Sequence, residues 1–264
     1  MPFTESQGLV YYSFETFNDA GVLHAIFTRH GGCSGKPFQS LNTGGTVGDD
    51  PAAVVENHLR IFRAINRPFE SRFDVWQVHG NDVAITDQPR PQGEPHTKAD
   101  VIITDHPEVT LMMRFADCVP VLLYDKVKNI AGIAHAGWQG TMLRVAEKAV
   151  LAMVKKFGCS ANDIIAGIGP SIGPDIYEVG DEVIQRTRQA FPTVWRDLLS
   201  TRNGKTTLNL WLANDFTLAG CGVRSIEHAN ISTYENTQDW YSHRGENGKT
   251  GRFAAIIAAR QVDG

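Results

Sequence analysis

The sequence predicts an α+β fold with mixed β-sheets. Three observations carry this expectation. The stretch from residue 72 to residue 134 is dense in extended apolar runs. Several of those runs are continuous rather than alternating, as in strands covered on both faces. Helices and strands then mix without the regular spacing of βαβ units, which argues against a doubly wound sheet.

The elements follow in order. Residues 9–14 and 23–28 are rich in β-branched and aromatic side chains and read as strands. A glycine-rich turn, residues 30–36, comes next. Asp49-Asp50-Pro51 then opens a helix, with an Asp cap and a proline in the first turn, where its missing N–H is harmless. Val54, Val55, Leu59, Phe62 and Ile65 recur at helical spacing. Residues 72–78, 82–86, 100–104, 109–115, 119–124 and 130–134 read as strands. A helix over 141–157 ends at Gly158. Residues 163–168 form a strand, 169–174 a rigid Gly/Pro loop, 181–191 and 208–219 helices, and 223–228 and 252–259 the last strands. No stretch reads as a linker or repeat, so residues 1–264 are expected to form a single domain.

Bulk composition narrows the function. Of the 264 residues, 42% are hydrophobic and 20% charged, as in ordinary globular proteins. A formal charge of −4 without a basic patch gives no support for nucleic-acid binding. Cys33, Cys118, Cys159 and Cys221 are too irregularly spaced for a disulfide framework, which favours a reducing compartment. No signal peptide or membrane-spanning run is seen, so a soluble, cytoplasmic protein is expected.

Three short segments place metal-ligating side chains at the ends of apolar runs: Gln77-Val78-His79-Gly80, Ala116-Asp117-Cys118-Val119-Pro120 and Ala134-His135-Ala136-Gly137-Trp138. Two imidazoles and a thiolate are three of the four groups a tetrahedral zinc takes, and the fourth position stays open for chemistry. The separations, 39 residues and then 17, are unlike a zinc finger and suit a site assembled from several strand ends. The same residues allow a metal-free reading, with Cys118 as nucleophile and His135 as its base. Spacing leaves both open, together with an inert buried cysteine. Residues 167–174 offer a backbone nest for an anion, or a plain turn. Arg244 and Arg252, in the polar segments before the last strand, are candidates for holding phosphate. His30, in the glycine-rich turn, is a candidate acid or base.

Taken in order, these segments resemble the laccase-domain, or polyphenol-oxidase, family. Its members include bacterial purine nucleoside phosphorylases and the peptidoglycan editing factor. The resemblance covers nearly the whole chain. It runs from Thr28-Arg29-His30-Gly31-Gly32-Cys33-Ser34 and Ser40-Leu41-Asn42, through the three segments above and Ala99-Asp100, to Gly169-Pro170-Ser171-Ile172-Gly173, Tyr177-Glu178-Val179 and Thr250-Gly251-Arg252. It implies a zinc ion held by His79, Cys118 and His135, with copper as the alternative ion. It implies sheets packed as a sandwich flanked by helices, similar to the cytotoxic necrotizing factor catalytic domain. The implied activities are phosphorolysis of adenosine, inosine, guanosine and methylthioadenosine, and deamination of adenosine. The implied partners are therefore purine nucleosides and phosphate. Ser40 and Asn42 have groups suited to a ribose or base edge, and His30 and Asp117 are candidate proton carriers. Gln139 and His58 stand where the family often has basic residues, which makes Arg60 or Arg144 alternative contacts for an anion.

Three rival functions remain. One is an amidase that edits wrongly built peptidoglycan precursors with the same residues. Another is a copper polyphenol oxidase, against which none of the nine histidines forms a His-x-His pair. The third is a non-catalytic metal-binding or partner-binding protein. Oligomeric state is not encoded legibly.

Overall fold

The computed structural model describes residues 2–261. Two six-stranded mixed sheets form its centre. The first runs β1 (Phe3–Ser6), β2 (Leu9–Tyr12), β3 (His24–Phe27), β14 (Phe253–Ile257), β7 (Thr110–Phe115) and β4 (Arg72–Asp74). The second runs β13 (Ser225–His228), β10 (Ile164–Ile168), β8 (Val119–Asp125), β9 (Ile130–Ala136), β6 (Val101–Thr104) and β5 (Val83–Ile85). Both are antiparallel at the centre. Parallel partners occur only toward the edges, where β4 joins β7, β5 joins β6 and β13 joins β10.

The two-residue period of a strand divides each sheet between two cores. On β7 and β14, Leu111, Met113, Phe115, Phe253, Ala255 and Ile257 face the second sheet. Their neighbours Met112, Ala254 and Ile256 face α2 (Pro51–Ala64), which supplies Ile61 and Phe62. On β8 and β9, Leu122, Tyr124, Ala131 and Ile133 meet the first sheet. Val119, Val121, Leu123 and Ala134 meet α4 (Val145–Phe157) and α7 (Leu210–Gly220). The result is a four-layer sandwich of helix, sheet, sheet and helices. Strands buried on both faces need no polar side, so β8 and β9 are buried at every position.

Local chemistry explains several boundaries. Asp50 caps α2 by accepting from the Ala52 N–H at 2.9 Å, and Pro51 opens the helix. Asn209 caps α7 through the Leu212 N–H. The expected helix over 141–157 is two helices, α3 (Trp138–Met142) and α4, because Arg144 adopts a left-handed φ of 61°. The expected strand over 72–78 stops at Asp74. The last expected helix starts at Leu210, because Leu208 still belongs to a hairpin of β11 (Leu199–Arg202) and β12 (Lys205–Leu208). Shorter helices α1 (Glu15–Asp19), α5 (Asp181–Ala190) and α6 (Trp195–Leu198) complete the chain. No helix among the described residues is long and apolar enough to cross a membrane.

Candidate metal centre and cavity

Strand pairing brings two of the three donors together. Val119 of β8 pairs with Ala136 of β9, so Cys118, just before β8, lies beside His135. His79 arrives on the loop that follows β4. The ligand atoms of His79, Cys118 and His135 all lie within 4.8 Å of one another. The His79 and His135 rings meet edge to face at 4.9 Å. His135 is buried, Cys118 half-buried and His79 exposed, so the group opens to one side.

One carboxylate shapes the His79 loop. Asp100, fully buried, accepts from the backbone N–H of Val78, His79 and Gly80 at 3.1, 3.0 and 2.7 Å. It also bonds His135 Nδ1 at 2.8 Å, which directs Nε2 of that ring toward the sulfur side. Burial alone would raise the Asp100 pKa. The His135 bond and the amides of Gly80 and Val78 outweigh it and hold the carboxylate below its usual range.

Electrostatics favour the thiolate form of Cys118. Burial opposes the thiolate, but His135 and His79 pull the Cys118 pKa down to about 6. Burial likewise opposes charge on His135, and the Cys118 sulfur and Asp100 push its pKa up to about 9. A low thiol pKa is what both a metal ligand and a nucleophile require. Gly137 completes the fit. A Cβ there would stand 2.9 Å from Cys118 Sγ and 3.2 Å from His79 Cδ2. The donor set, two imidazoles and a readily formed thiolate open on one side, suits a zinc or copper ion.

A cavity of about 610 Å³ adjoins this group. Trp76, Trp138 and Tyr177 give it aromatic faces, and Arg114, Arg244 and Arg252 give it cations. Gly44, Gly45 and Thr46 bring backbone to the same wall. Burial lowers the Arg252 pKa, against the Cys118 and Asp117 charges that raise it. Tyr177 is pushed up to about 12 by burial and by Cys118, so its phenol keeps its proton.

A sequence model described as multi-copper polyphenol oxidoreductase laccase matches residues 23–260. The chain belongs to that family. It is 38% identical to the purine nucleoside phosphorylase YlmD of Bacillus subtilis (strain 168), over 93% of this chain and 91% of that one. It is 34% identical to the purine nucleoside phosphorylase YfiH of Escherichia coli (strain K12), over 90% and 93%. The crystal structure of YlmD from Geobacillus stearothermophilus superposes with a TM-score of 0.92 at 33% identity, covering 98% of this chain and 99% of that chain. Protein NMB0706 of Neisseria meningitidis gives 0.79 at 25%, covering 99% and 100%.

The other residues singled out in the sequence fall into two groups. Arg244, Arg252, Asp117 and Gln139 line the cavity. Arg244 donates to the Glu178 carbonyl and lies over the Tyr177 ring. Asp117 is engaged with three donors, the Thr233 and Ser242 hydroxyls and the Arg244 N–H, all within 2.7 Å. Those bonds give it a holding role for the Ser242–Arg244 turn. The second group lies away from the cavity wall. His30 pairs with Asp239 at 2.8 Å on the surface. Ser40 donates to the Arg29 carbonyl and accepts from Gly32 N–H. Asn42, fully buried, accepts from Gly44 and Arg252 N–H and donates to Asp49. Asn42 clamps the backbone that carries Gly44 and Arg252, and Ser40 ties its own segment to the Arg29–Gly32 turn.

Neither Arg60 nor Arg144 lines the cavity. Arg60 pairs with Glu56, and Arg144 with Glu147. His58 is buried, donates to the Thr43 carbonyl and meets Arg72; burial and Arg114 lower its pKa to about 3. The amides of Gly169, Ser171 and Ile172 bond to carbonyls, so that loop offers no open nest. Sequence reasoning quoted Asp100 and Gly137 within its motifs without assigning either a role, and passed over Arg114. Asp100 had a visible signal, a carboxylate interrupting the apolar run from Ala99 to Ile103.

Proposed function

We propose that this chain is a zinc-dependent purine nucleoside phosphorylase for adenosine, inosine, guanosine and methylthioadenosine, with adenosine deaminase activity in the same cavity. The observation that carries the reading is the His79–Cys118–His135 group opening into a cavity with aromatic faces and three arginines. The names of the Bacillus and Escherichia relatives support it.

His79, Cys118 and His135 would hold the ion. When bound, it supplies Lewis acidity next to the cavity. Trp76, Trp138 and Tyr177 offer flat faces of the kind a purine stacks against. Arg114 and Arg252 meet at one backbone residue: Arg114 Nε donates to the Thr43 carbonyl, and the Thr43 N–H donates to the Arg252 carbonyl. The Arg252 guanidinium, with Arg244, is suited to hold phosphate, while Arg114 is paired with buried Asp74 and braces that wall. Phosphate then attacks C1′, the C–N bond to the base breaks, and the purine leaves with the electron pair and takes up a proton. Arginines neutralise the attacking group, and the walls exclude bulk water. With water in place of phosphate, addition at the carbon bearing the amino group releases ammonia. His30 lies away from the cavity and Asp117 is taken up by three hydrogen-bond donors, which leaves His243 and the Tyr177 phenol in the cavity wall as candidates for the proton.

A second reading is favoured by the depressed Cys118 pKa beside His135: a thiol hydrolase, including an amidase acting on peptidoglycan precursors. A multi-copper oxidase uses several copper positions, and one His/Cys group of the required size occurs among the described residues. Incubation of purified protein with adenosine, with and without phosphate, separates these. Adenine that requires phosphate is expected, with inosine as a second product. No turnover in either mixture, alongside cleavage of a muropeptide that survives chelation, overturns the phosphorylase reading in favour of the hydrolase.

A further inference from the structure

We infer that Asp100 is the positioning residue of the metal centre. Its one carboxylate fixes both histidine ligands and selects Nε2 of His135 as the coordinating atom. This rests on the metal reading given above.

The geometry has three parts. Asp100 Oδ1 bonds His135 Nδ1 at 2.8 Å and accepts the His79 N–H at 3.0 Å. Oδ2 accepts the N–H of Val78 and of Gly80 at 3.1 and 2.7 Å. Each oxygen thus takes two donors, near the full capacity of a carboxylate. The backbone adds a third link: the His135 N–H donates to the Asp100 carbonyl at 2.8 Å, just beyond the end of the β6–β9 pairing. Asp100 itself has no exposed surface, so none of these bonds competes with water.

Two consequences follow for the ligands. With Nδ1 bonded to the Asp100 carboxylate, Nε2 is the ring nitrogen left on the Cys118 side to face an ion. His79 would otherwise have no reason to sit at a left-handed φ of 60°, unusual for a residue with a side chain. Three consecutive amides converging on one carboxylate give that reason. The buried and the exposed ligand are therefore set by the same group, across 56 residues of chain (from 79 to 135). Cys118 needs no such help, because it is fixed by the end of β8.

An asparagine is close to isosteric but supplies one acceptor and one donor. In either amide orientation two of the four donors then face an NH₂ group. Asp100→Asn is expected to stay folded and to weaken zinc binding by about 10–100-fold, the range for loss of such supporting partners. Zinc affinity is read by competition against a chromophoric chelator. The cobalt(II)-substituted protein adds a second readout, since its ligand-field spectrum should shift from the wild-type one. A purely structural role for Asp100 would lower the melting temperature and leave both signals unchanged in the folded variant. Affinity within twofold of wild type, with an unchanged cobalt spectrum, overturns the inference. Should the variant not fold, the wild-type zinc form decides alone. Long-range ¹H–¹⁵N correlation is expected to show the His135 proton on Nδ1 and the metal on Nε2, and the reverse assignment overturns the inference while leaving the metal reading intact. Wild-type protein that binds no zinc or cobalt at all removes both.

Discussion

Gly137→Ala tests whether the metal group is as close-fitting as its geometry implies. The backbone at Gly137 has φ −67°, so alanine meets no conformational penalty there. Its methyl would stand 2.9 Å from Cys118 Sγ and 3.2 Å from His79 Cδ2. The sulfur contact is roughly 0.6–1.1 Å, and the ring contact roughly 0.3–0.8 Å, inside the usual optimum of about 3.5–4.0 Å. Free side chains could swing away, but ligands held on one ion cannot do so without leaving it. Overpacking of this kind costs about 1–3 kcal/mol. Charged to the metal-bound state, this is roughly a 5- to 150-fold loss of zinc affinity. Chelator competition measures it directly. Gly220→Ala serves as control, since a Cβ at that helical position meets nothing within 4 Å. It should leave zinc affinity unchanged and raise stability slightly. Wild-type zinc affinity in Gly137→Ala would show that the three side chains do not close on a common ion.

Further outcomes concern the cavity and the fold. Arg244→Gln should raise KM for phosphate about tenfold or more while zinc content stays at wild type, as measured by steady-state kinetics and metal analysis. Asp74 is fully buried among Arg72, Arg90, Arg114 and His96; Asp74→Asn should cost about 3–5 kcal/mol in urea unfolding, because it strands buried guanidiniums. Burial would raise the Asp74 pKa, but His96 and the arginines hold it far below the carboxylate range. The unfolded chain therefore binds this proton more readily, so the stabilisation is complete above about pH 4–5 and is lost as pH falls below that. Burial lowers His24 to about 4, so it too favours the unfolded state once protons are available. Its contribution is full above about pH 6.5 and declines toward pH 4, and His24→Gln should flatten that part of the pH–stability curve. Phe253→Ala, between the two sheets, should lose about 3–5 kcal/mol.

The sequence reveals most where one local rule acts alone. The continuous apolar runs of β8 and β9 are legible because both faces are covered, and α2 is legible because Asp50 and Pro51 mark its start. It reveals less where a distant group overrides the local pattern. Residues 75–78 have strand chemistry, yet the chain bends there because Asp100, some 20 residues on, captures the amides from Val78 to Gly80. No periodicity in the segment reports that. The β11–β12 hairpin was hidden differently. Its strands are polar, and only the turn Asn203-Gly204, with φ of 51° and 76°, announces it. In the site, the three donors stand out by residue type and by their place at strand ends. Ser40, Asn42 and His30 share that polar character, but their hydrogen bonds are spent on neighbouring backbone or on Asp239. Arg114 looked like an ordinary strand residue. Only the packing of β7 beside Thr43 turns it toward the cavity wall.

Zinc stoichiometry in purified wild-type protein and in Cys118→Ser tests the central claim most directly. About one zinc per wild-type chain and almost none in a folded Cys118→Ser variant is the expected result. Equal zinc in the two, or none in either after growth and purification with zinc present, would contradict a centre built from His79, Cys118 and His135.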